Sequence, residues 1–239
     1  MAHSTSEENY LKSIYHLSKS EGGSIGTNVL AADLNTTAAS VTEMLKRLSG
    51  KRLVDYRPYH GVSLTLTGRK AALATIRKHR LWEMFLVKSL GFGWDQVHDI
   101  AEQLEHIQSD LLTDRLEAFL GHPAFDPHGD PIPDSRGRMP DRRELRLVEL
   151  SPGESGILCS VGTDDPEFLR QLDELGIGLG TRIQLEDRYA FDGSARIRIR
   201  PGRRQLYLAE PLMRHLFIQR PAQAGKRAST KRQFTRTGK

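Results

Sequence analysis

The chain of 239 residues has a single cysteine, Cys159, which excludes an intramolecular disulfide framework. A lone thiol in the apolar run Gly156–Val161 is typical of a small buried side chain in a reducing compartment. No window approaches about eighteen uninterrupted apolar residues, and the first residues are polar, so we predict neither a membrane span nor a signal peptide. A cytoplasmic protein of about two or three modest domains is expected.

Charge is unevenly distributed along the chain, although the net charge is only +5. Residues 37–80 contain ten Lys or Arg against two acidic residues, whereas residues 81–130 contain ten Asp or Glu against two basic residues. Basic surfaces favour polyanions, and clustered carboxylates favour cations. The order predicts a polyanion-binding part followed by a cation-binding part.

The N-terminal part has the pattern of a winged helix-turn-helix. Thr5-x-x-Glu8 is a capping-box pattern before a first helix. A second short helix is predicted over about residues 27–34, and Thr36-Thr37 supplies caps for a third helix. Two alternating runs follow, separated by Pro58-Tyr-His-Gly61, which is a hairpin signal. A hairpin directly after a recognition helix forms a wing.

The middle of the chain is predicted to be helical and rich in metal donors. A long helix is expected from Thr67-Gly68 to about Leu90, followed by helices over about residues 95–108 and 109–120. Spacings of three or four residues place donors on shared helix faces, and Glu102, Glu105 and His106 are expected on one face. The candidate donors of this region are His79, Glu83, His98, Glu102, Glu105 and His106.

Five of the eleven prolines lie in residues 121–141, which predicts an extended linker. Beyond it, short apolar runs predict five strands over residues 145–150, 156–161, 181–186, 195–200 and 205–208. One helix is expected over about residues 166–175. Five short strands indicate a small β-barrel. Residues 220–239 contain seven basic residues and no acidic one, which is typical of a disordered tail.

Several motifs together resemble the diphtheria-toxin-repressor family of metal-dependent transcriptional repressors, which has iron- and manganese-responsive members. The similarity covers about residues 8–133 and, more weakly, 147–218. The motifs are Glu8-Asn-Tyr-Leu-Lys-Ser-Ile-Tyr15, Ser40-Val-Thr-Glu-Met44, Leu64-Thr-Leu-Thr-Gly68, Arg77-Lys-His-Arg-Leu81, Val97-His-Asp99, Leu104-Glu-His106 and Pro127-His-Gly-Asp-Pro-Ile-Pro133.

The resemblance implies an α+β multidomain fold. It comprises an N-terminal winged helix-turn-helix domain (1–70), an all-α dimerisation and metal-binding domain (71–135), a linker (136–144) and a C-terminal small SH3-like β-barrel (145–219), before the tail (220–239).

The resemblance also implies two metal sites in each subunit. The first corresponds to Asn9, Glu102, Glu105 and His106. The second corresponds to His79, Glu83 and His98, completed from the barrel by Asp164 and Glu167. His60, His122 and His128 are predicted to have no role in binding metal, and Trp82 and Trp94 are predicted to be packing residues.

Three positions depart from relatives. Asn9 stands where relatives have methionine or aspartate, and Glu102 replaces the cysteine of the best-known iron-responsive members. Lys12 stands where manganese-responsive relatives with a close two-metal cluster have glutamate, which favours separated sites. Carboxylate, carbonyl and imidazole donors suit Mn²⁺ or Fe²⁺, and we favour Mn²⁺.

For DNA, the third helix is expected in the major groove and the wing at the backbone. Its outward residues are mostly small or polar, which favours a few direct base contacts. These are Thr37, Ala38, Ala39, Ser40, Thr42, Glu43 and Lys46. Phosphate contacts are expected from Arg47, Lys51, Arg57 and Tyr59.

The implied function is that of a homodimeric repressor of metal-uptake genes, whose affinity for a palindromic operator is switched on by metal. One alternative is a winged-helix regulator with purely structural metals and metal-insensitive DNA binding. Another is a metal-dependent hydrolase, because carboxylate and imidazole sites can activate water. No nucleophile motif or phosphate loop accompanies the donors in the sequence, so an enzyme is not expected.

Overall fold

The computed structural model describes residues 3–220 and begins with a three-helix unit followed by a hairpin. The helices are α1 (Thr5–Glu21), α2 (Thr27–Asp33) and α3 (Ala38–Gly50). Strands β1 (Val54–Arg57) and β2 (Gly61–Leu64) pair antiparallel. This arrangement confirms the winged helix-turn-helix, with α3 in the position of the recognition helix.

Side-chain N-caps begin α1 and α3, and the sequence predicted the capping residue correctly for α3 but not for α1. Thr37 accepts a hydrogen bond from the Ser40 backbone N–H and so caps α3. The N-cap of α1 is Ser4, which forms a reciprocal capping box with Glu7. The predicted pair Thr5 and Glu8 was therefore wrong by one residue. The shift matters because it leaves the carboxylate of Glu8 free for other contacts.

One apolar core joins these elements. Residues from α1, α3 and the hairpin are almost completely excluded from solvent, and each such side chain contributes about 1.5–3 kcal/mol of burial free energy. They include Leu11, Ile14, Tyr15, Val41, Leu45, Leu48, Val54 and Val62. The core also includes Leu73 and Ile76 of the next helix, so the winged domain is continuous with the region that carries the metal donors.

The predicted metal donors of this region lie on two helices and in the residues directly after the second helix. Helix α4 (Leu66–Leu90) begins after the cap Thr65 and ends at Gly91, whose φ of 75° is readily adopted by glycine. Helices α5 (His98–Leu104) and α6 (Asp110–Phe119) follow. The helix predicted over residues 95–108 is shorter at both ends, so Glu105 and His106 lie beyond the last turn of α5.

Residues 121–141 are irregular, as their prolines predicted, but they do not form a simple spacer. Asp126, His128 and Ile132 are buried. The Asp126 carboxylate accepts backbone N–H bonds from His128 and Asp130, and these bonds shape a compact loop. Arg80 of α4 donates to Asp130 and to the Pro131 carbonyl. The linker prediction was wrong for this part because polar contacts fix the loop against α4.

The C-terminal part is a six-stranded antiparallel sheet in the order β3-β8-β4-β5-β6-β7. The elements are β3 (Leu145–Arg146), a 3₁₀ turn (Leu147–Glu149), β4 (Ser155–Val161), α7 (Pro166–Glu174), β5 (Arg182–Arg188), β6 (Ala195–Arg200), β7 (Arg204–Leu208), α8 (Glu210–Arg214) and β8 (Leu216–Gln219). The expected SH3-like domain is confirmed. Sequence analysis missed α8 and β8, and it extended β3 through what is a 3₁₀ turn.

Strand β8 lies between β3 and β4, so it completes the sheet. Among residues 3–220, no helix combines the length and the apolar character needed to cross a membrane. The basic tail predicted from residue 220 onward lies, except for Arg220, outside the described residues.

Candidate metal centre

Helices α4 and α5 bring the predicted donors together around His79. Its Nδ1 lies 2.6 Å from Glu105 Oε2, and its Nε2 lies 3.1 Å from Glu83 Oε1. Glu83 is one helical turn from His79, whereas Glu105 comes from the chain that leaves α5. All three side chains are buried, so their polar atoms depend on one another or on a bound cation.

Among the residues that the structure describes, three groups of donor atoms are compact enough to hold an ion, and the atoms of each group lie within 4.8 Å of one another. They share members, because His79 belongs to two groups and Glu83 to two. We call their combined residues the donor cluster. The groups are His79/Glu83/His98, His79/Glu102/Glu105 and Glu83/Asp126/His128.

The electrostatics of the donor cluster favour an additional cation. Burial opposes ionisation of Glu83, but bonds with His128, His79 and His98 hold its pKa well below its usual range. Asp164 and Glu83 raise the pKa of His98 to about 10. The pKa of His128 rises to about 9, because nearby Glu83 outweighs the opposing effect of burial. The imidazoles of His98 and His128 therefore carry protons at neutral pH in the metal-free chain. Binding to a metal ion requires their neutral forms, so metal must displace these protons.

The barrel brings one of its two predicted ligands to the cluster. Asp164 Oδ2 lies 2.8 Å from His98 Nδ1. Glu167 is in the first turn of α7, its side chain is exposed, and it belongs to none of the three donor groups. The adjacent carboxylate of Asp165 caps α7 through the N–H groups of Glu167 and Phe168.

The two remaining predicted ligands, Asn9 and His106, lie at the α1 side. Asn9 Oδ1 is buried, and none of residues 3–220 donates a hydrogen bond to it. Leaving a buried acceptor unsatisfied costs about 1–3 kcal/mol, so this oxygen suits a hard cation such as Mn²⁺ or Fe²⁺. His106 Nε2 lies 3.7 Å from Glu105 Oε1. These donors, all oxygen or imidazole nitrogen, fit the ions that the sequence predicted.

Glu8 orients His106. Its Oε2 lies 2.6 Å from His106 Nδ1, and its other oxygen accepts hydrogen bonds from Gln108 and Lys78. This contact leaves Nε2 on the side of Glu105. Carboxylates that bond the second nitrogen of a histidine fix its tautomer and ring direction for metal binding.

Lys12 also points into the donor cluster. Its ammonium is 2.8 and 2.9 Å from the two carboxylate oxygens of Glu105, and it contacts Glu102 Oε1. The lysine that distinguished this chain in sequence therefore contacts two of the predicted metal ligands directly.

Sequence analysis did not single out Asp126 and predicted no role in binding metal for His128, yet the structure places both beside the predicted donor Glu83. His128 is buried, its Nδ1 is 3.7 Å from Glu83, and its Nε2 is 2.8 Å from the Trp94 carbonyl. The available signal was the pattern Asp126-Pro-His-Gly-Asp130. Gly129 has φ 86°, and an added Cβ would lie 2.0 Å from the Cys159 carbonyl, so the loop must pass close to β4.

The surface predicted for DNA is largely open. The outward residues of α3 are exposed, except that Thr42 is half-buried and donates its hydroxyl to the Ala38 carbonyl. Tyr59 at the wing tip is fully exposed, and Arg57 is exposed. A groove between α3 and the wing is lined by Thr42, Lys46, Tyr56 and Tyr59, together with the start of α2.

Two of the residues predicted to contact phosphates, Arg47 and Lys51, bind a carboxylate of α1. The buried Glu7 carboxylate accepts hydrogen bonds from Arg47 Nε at 2.8 Å and from Lys51 Nζ at 2.7 Å. Burial opposes ionisation of Glu7, but Lys51, the Ser4 N–H and Arg47 together hold its pKa below its usual range. Glu7 was not singled out in sequence, because its partners lie about forty residues away.

Comparison with known proteins covers almost the whole described chain. Residues 3–62 match the N-terminal DNA-binding domain of the iron-dependent repressors, and residues 65–134 match their metal-binding and dimerisation domain. Residues 145–220 match the FeoA domain. The iron-dependent repressor IdeR of Mycobacterium leprae is 31% identical over 191 residues, spanning 75% of this chain and 83% of that protein. The diphtheria toxin repressor of Corynebacterium efficiens is 32% identical over 190 residues, spanning 74% and 81%.

Solved structures agree with these matches. A manganese-dependent transcriptional repressor in complex with manganese superposes with a TM-score of 0.82 at 36% identity, covering 90% of this chain and all of that chain. ScaR with bound Cd²⁺ superposes with a TM-score of 0.74 at 30% identity, covering 90% and 99%. On these matches, this chain belongs to the diphtheria-toxin-repressor family of metal-dependent, DNA-binding transcriptional repressors.

Proposed function

We propose that this chain is a homodimeric repressor of metal-uptake genes, whose affinity for a palindromic operator rises when Mn²⁺ or Fe²⁺ occupies the donor cluster. The observation that carries the proposal is the position of α1 between the cluster and the recognition helix. Glu7 holds Arg47 and Lys51 of the α3 end, while the next residue, Glu8, holds His106. A change at the donors is therefore transmitted to α3 through adjacent residues of one helix.

We propose ligands on two sides of the donor cluster. At the α1 side we propose Asn9, Glu102, Glu105 and His106. On the other side we propose His79, Glu83, His98 and Asp164, with Asp126 and His128 as additional donors next to Glu83. When bound, the ion supplies fixed positive charge that joins donors from different elements. The chain supplies the rest, because Glu8 directs His106 and Asp126 shapes the loop that carries His128.

Exposed apolar side chains support a homodimer. The end of α4, the chain that follows it and helix α6 present a set of apolar residues to solvent, although one face of α6 packs on α4 through Leu116. Leu111 is 70% exposed and Phe119 is 69% exposed, which is unusual for two large apolar residues of one short helix. The set comprises Leu90, Phe92, Ile107, Leu111, Leu112 and Phe119.

In this mechanism the metal-free dimer holds its two recognition helices, one α3 from each subunit, at a spacing that fits the operator half-sites poorly. Asn9 and Glu105 would hold the ion from α1 and from the end of α5, and Glu7 would carry the resulting restraint on α1 to α3. A dimer binds a palindrome tightly only when the separation of its helices matches the half-sites. A hundredfold gain in DNA affinity corresponds to about 2.7 kcal/mol of coupling.

The decisive experiment measures DNA binding by fluorescence anisotropy on palindromes selected from a random pool. The protein is titrated with Mn²⁺ and with Fe²⁺ under anaerobic conditions, and a chelator is then added. The test variant is Glu105→Ala/His106→Ala, and Glu174→Ala on the exposed face of α7 is the matched control. We expect tight binding only with metal, lost in the test variant and retained in the control. Tight binding that resists the chelator would instead support structural metals.

A further inference from the structure

The outer side of the barrel sheet carries arginine and tyrosine side chains that the proposed function does not use. Along β6 the buried residues Ile197 and Ile199 alternate with arginines, which therefore lie on the side away from the barrel core. Strands β5 and β7 flank β6 and extend this side. We call it the sheet face. Its basic and aromatic residues are Arg182, Arg196, Arg198, Arg200 and Tyr207.

Four arginines lie at the end of the sheet face where β6 turns into β7. They are Arg182, Arg200, Arg203 and Arg204, all exposed, and we call them the arginine corner. The register of β5 and β6 places Arg182 directly opposite Arg200, and like charges at opposite positions destabilise a sheet. Among residues 3–220, no carboxylate lies within ion-pair distance of any of the four. The arginine corner therefore has positive charge that the described chain does not compensate.

The nearest carboxylates of the sheet face are already paired with its other arginines. Glu186 Oε2 lies 3.5 Å from Arg196 Nε, and Glu186 also contacts Arg198. Asp187 Oδ2 lies 3.6 Å from Arg196 Nη2, and Gln205 donates a hydrogen bond to Glu186. These contacts balance the charge in the middle of the face. The arginine corner stays unbalanced, so it suits a ligand with repeated negative charge.

Exposed aromatic rings lie at the opposite end of the sheet face. Tyr207, which is opposite Arg196, is 66% exposed, and its ring centroid is 6.1 Å from that of Tyr189. Phe191, in the turn between β5 and β6, is fully exposed. Arg196 and Arg200 are four residues apart on β6, which separates the two ends of the face by about 13 Å. A ligand that contacts both ends must be extended.

Single-stranded nucleic acid has the chemistry that fits both ends. Its phosphates pair with arginines, and its unpaired bases stack on exposed aromatic rings, as in other sheet surfaces that bind single strands. In a duplex the bases stack on one another, so rings on a sheet cannot stack on them. An acidic peptide would satisfy the arginines, but its carboxylates offer no planar group to the tyrosines. The combination of both features therefore favours a single strand.

We propose that the sheet face of the barrel binds single-stranded nucleic acid, with phosphates at the arginine corner and bases stacked on Tyr207 and Tyr189. The site belongs to the barrel, whereas α3 and the wing belong to the N-terminal domain. The inference therefore goes beyond the proposed function and requires no metal. Each subunit has one surface for duplex DNA and a second surface for a single strand.

A solvated basic surface is the competing explanation. Exposed arginines attract any polyanion, and residues 220–239 add seven basic residues, so binding of nucleic acid is not by itself sufficient evidence. The two explanations differ in the contribution of the aromatic ring. Purely electrostatic attraction is insensitive to the loss of Tyr207, whereas a stacking site is weakened by it.

The test measures binding of a fluorescent thymidine homopolymer of about 16 nucleotides to the full-length chain by anisotropy. Chelator and an excess of unlabelled duplex DNA are present, so that α3 and the wing are occupied by the duplex. The variants are Arg200→Ala/Arg203→Ala and Tyr207→Ala. Two matched controls are Arg136→Ala/Arg143→Ala, which removes two exposed arginines outside the barrel, and Tyr207→Phe, which keeps the ring.

The arginine variant should bind the strand about tenfold or more weakly, and its dependence of log affinity on log salt should fall by about 0.7 for each lost phosphate contact. Tyr207→Ala should bind about fivefold or more weakly, because one stacked base is lost. Arg136→Ala/Arg143→Ala and Tyr207→Phe should bind like the wild-type chain.

Equal affinities of the wild-type chain and the arginine variant would overturn the inference, as would loss of strand binding when the duplex is added. Binding of polyglutamate as tight as that of the strand would assign the face to an acidic protein instead. Circular dichroism and thermal unfolding establish that the variants are folded. If Tyr207→Ala does not fold, ultraviolet cross-linking of a bromouracil-substituted strand decides, because cross-links outside Tyr189, Phe191 and Tyr207 would contradict the proposal. The chelator makes the result independent of metal-dependent operator binding.

Discussion

Two clusters of buried charge contact α1, and they are balanced in opposite ways. Around Glu7, one buried carboxylate faces two cations, Arg47 and Lys51, which are themselves half-exposed. In the donor cluster, the carboxylates of Glu83, Glu102, Glu105 and Asp126 face Lys12 and Arg80. The first cluster is satisfied without any added ion. The second has an excess of carboxylates, which is balanced by protons on histidines or by metal.

This difference distinguishes a permanent ionic contact around Glu7 from a metal-responsive donor cluster. Burying a carboxylate is unfavourable unless a partner compensates its charge. Where the partners are Arg and Lys, the compensation is permanent over the physiological pH range. Where they are imidazoles, a divalent ion replaces the protons, so the state of the cluster depends on the metal concentration. The following predictions test the contrast, from the largest expected effect to the smallest.

The largest effect is expected from Glu105→Gln, which removes charge from the most enclosed carboxylate of the donor cluster. Because Glu105 faces Lys12, His79 and His106, the variant should lose about a hundredfold or more of the metal-induced gain in DNA affinity. Anisotropy titrations with and without Mn²⁺ measure this gain. Equal metal stimulation in wild type and variant would show that the cluster does not control DNA binding.

A smaller loss is expected from His128→Ala. His128 is buried beside Glu83, whereas His122 is 71% exposed in the same irregular segment, so His122→Ala is the matched control. Loss of a donor or of a group supporting it typically costs about 10–100-fold in metal affinity. Calorimetric titration with Mn²⁺ should show this loss for His128→Ala alone. Equal Mn²⁺ affinities of wild type and His128→Ala would show that the Glu83/Asp126/His128 group does not take part in metal binding.

Metal binding should release protons at neutral pH. In the metal-free chain Asp164 and Glu83 raise the pKa of His98 to about 10, and Glu83, against the effect of burial, raises that of His128 to about 9. Both imidazoles are then protonated at pH 7, and ligation requires their neutral forms. Metal affinity should therefore increase with pH between about 6 and 9, by up to about tenfold per unit for each displaced proton. Calorimetry in buffers of different ionisation enthalpy counts the protons, and a count of zero would contradict this prediction.

The smallest effect is expected from Glu7→Gln, which removes the charge that holds Arg47 and Lys51 and leaves the donor cluster intact. Because Arg47 and Lys51 are half-exposed, the loss in unfolding free energy should be modest, about 1–2 kcal/mol. Urea denaturation in the presence of chelator measures it. The number of Mn²⁺ ions bound should be unchanged, while the coupling of metal to DNA affinity should weaken. Unaltered coupling would show that α1 acts on α3 through packing alone.

The same variant tests the pH dependence of stability. Against the opposing effect of burial, Lys51, the Ser4 N–H and Arg47 lower the pKa of Glu7 in the folded chain. A lowered folded-state pKa contributes stability that is present above the usual carboxyl value of 4.5 and is lost as the pH falls through the lowered value. The difference in stability between wild type and Glu7→Gln should therefore shrink on acidification below about pH 4.5. A difference that grows with acid would contradict this sign.

Much of the fold followed from short-range patterns. Thr37 caps α3, Gly61 closes the wing hairpin, and the four-residue step from His79 to Glu83 places both donors on one face of α4. Errors occurred where local signals compete. The capping box shifted by one residue to Ser4 and Glu7, and β8 was missed because a strand of four residues is stabilised mainly by its neighbours, here β3 and β4.

The amino-acid sequence by itself determined the order of the domains, the shared helix face of His79 and Glu83, and the oxygen and nitrogen character of the donors. Only the tertiary structure decided which donors meet. Lys12 and Glu105 are 93 residues apart, yet α1 and α5 both pack against α4, and this brings the two side chains into contact. His128 reaches Glu83 because a loop held by Asp126 and Arg80 lies against α4. Spacing rules apply within one element, whereas the approach of separate elements depends on how the whole core packs.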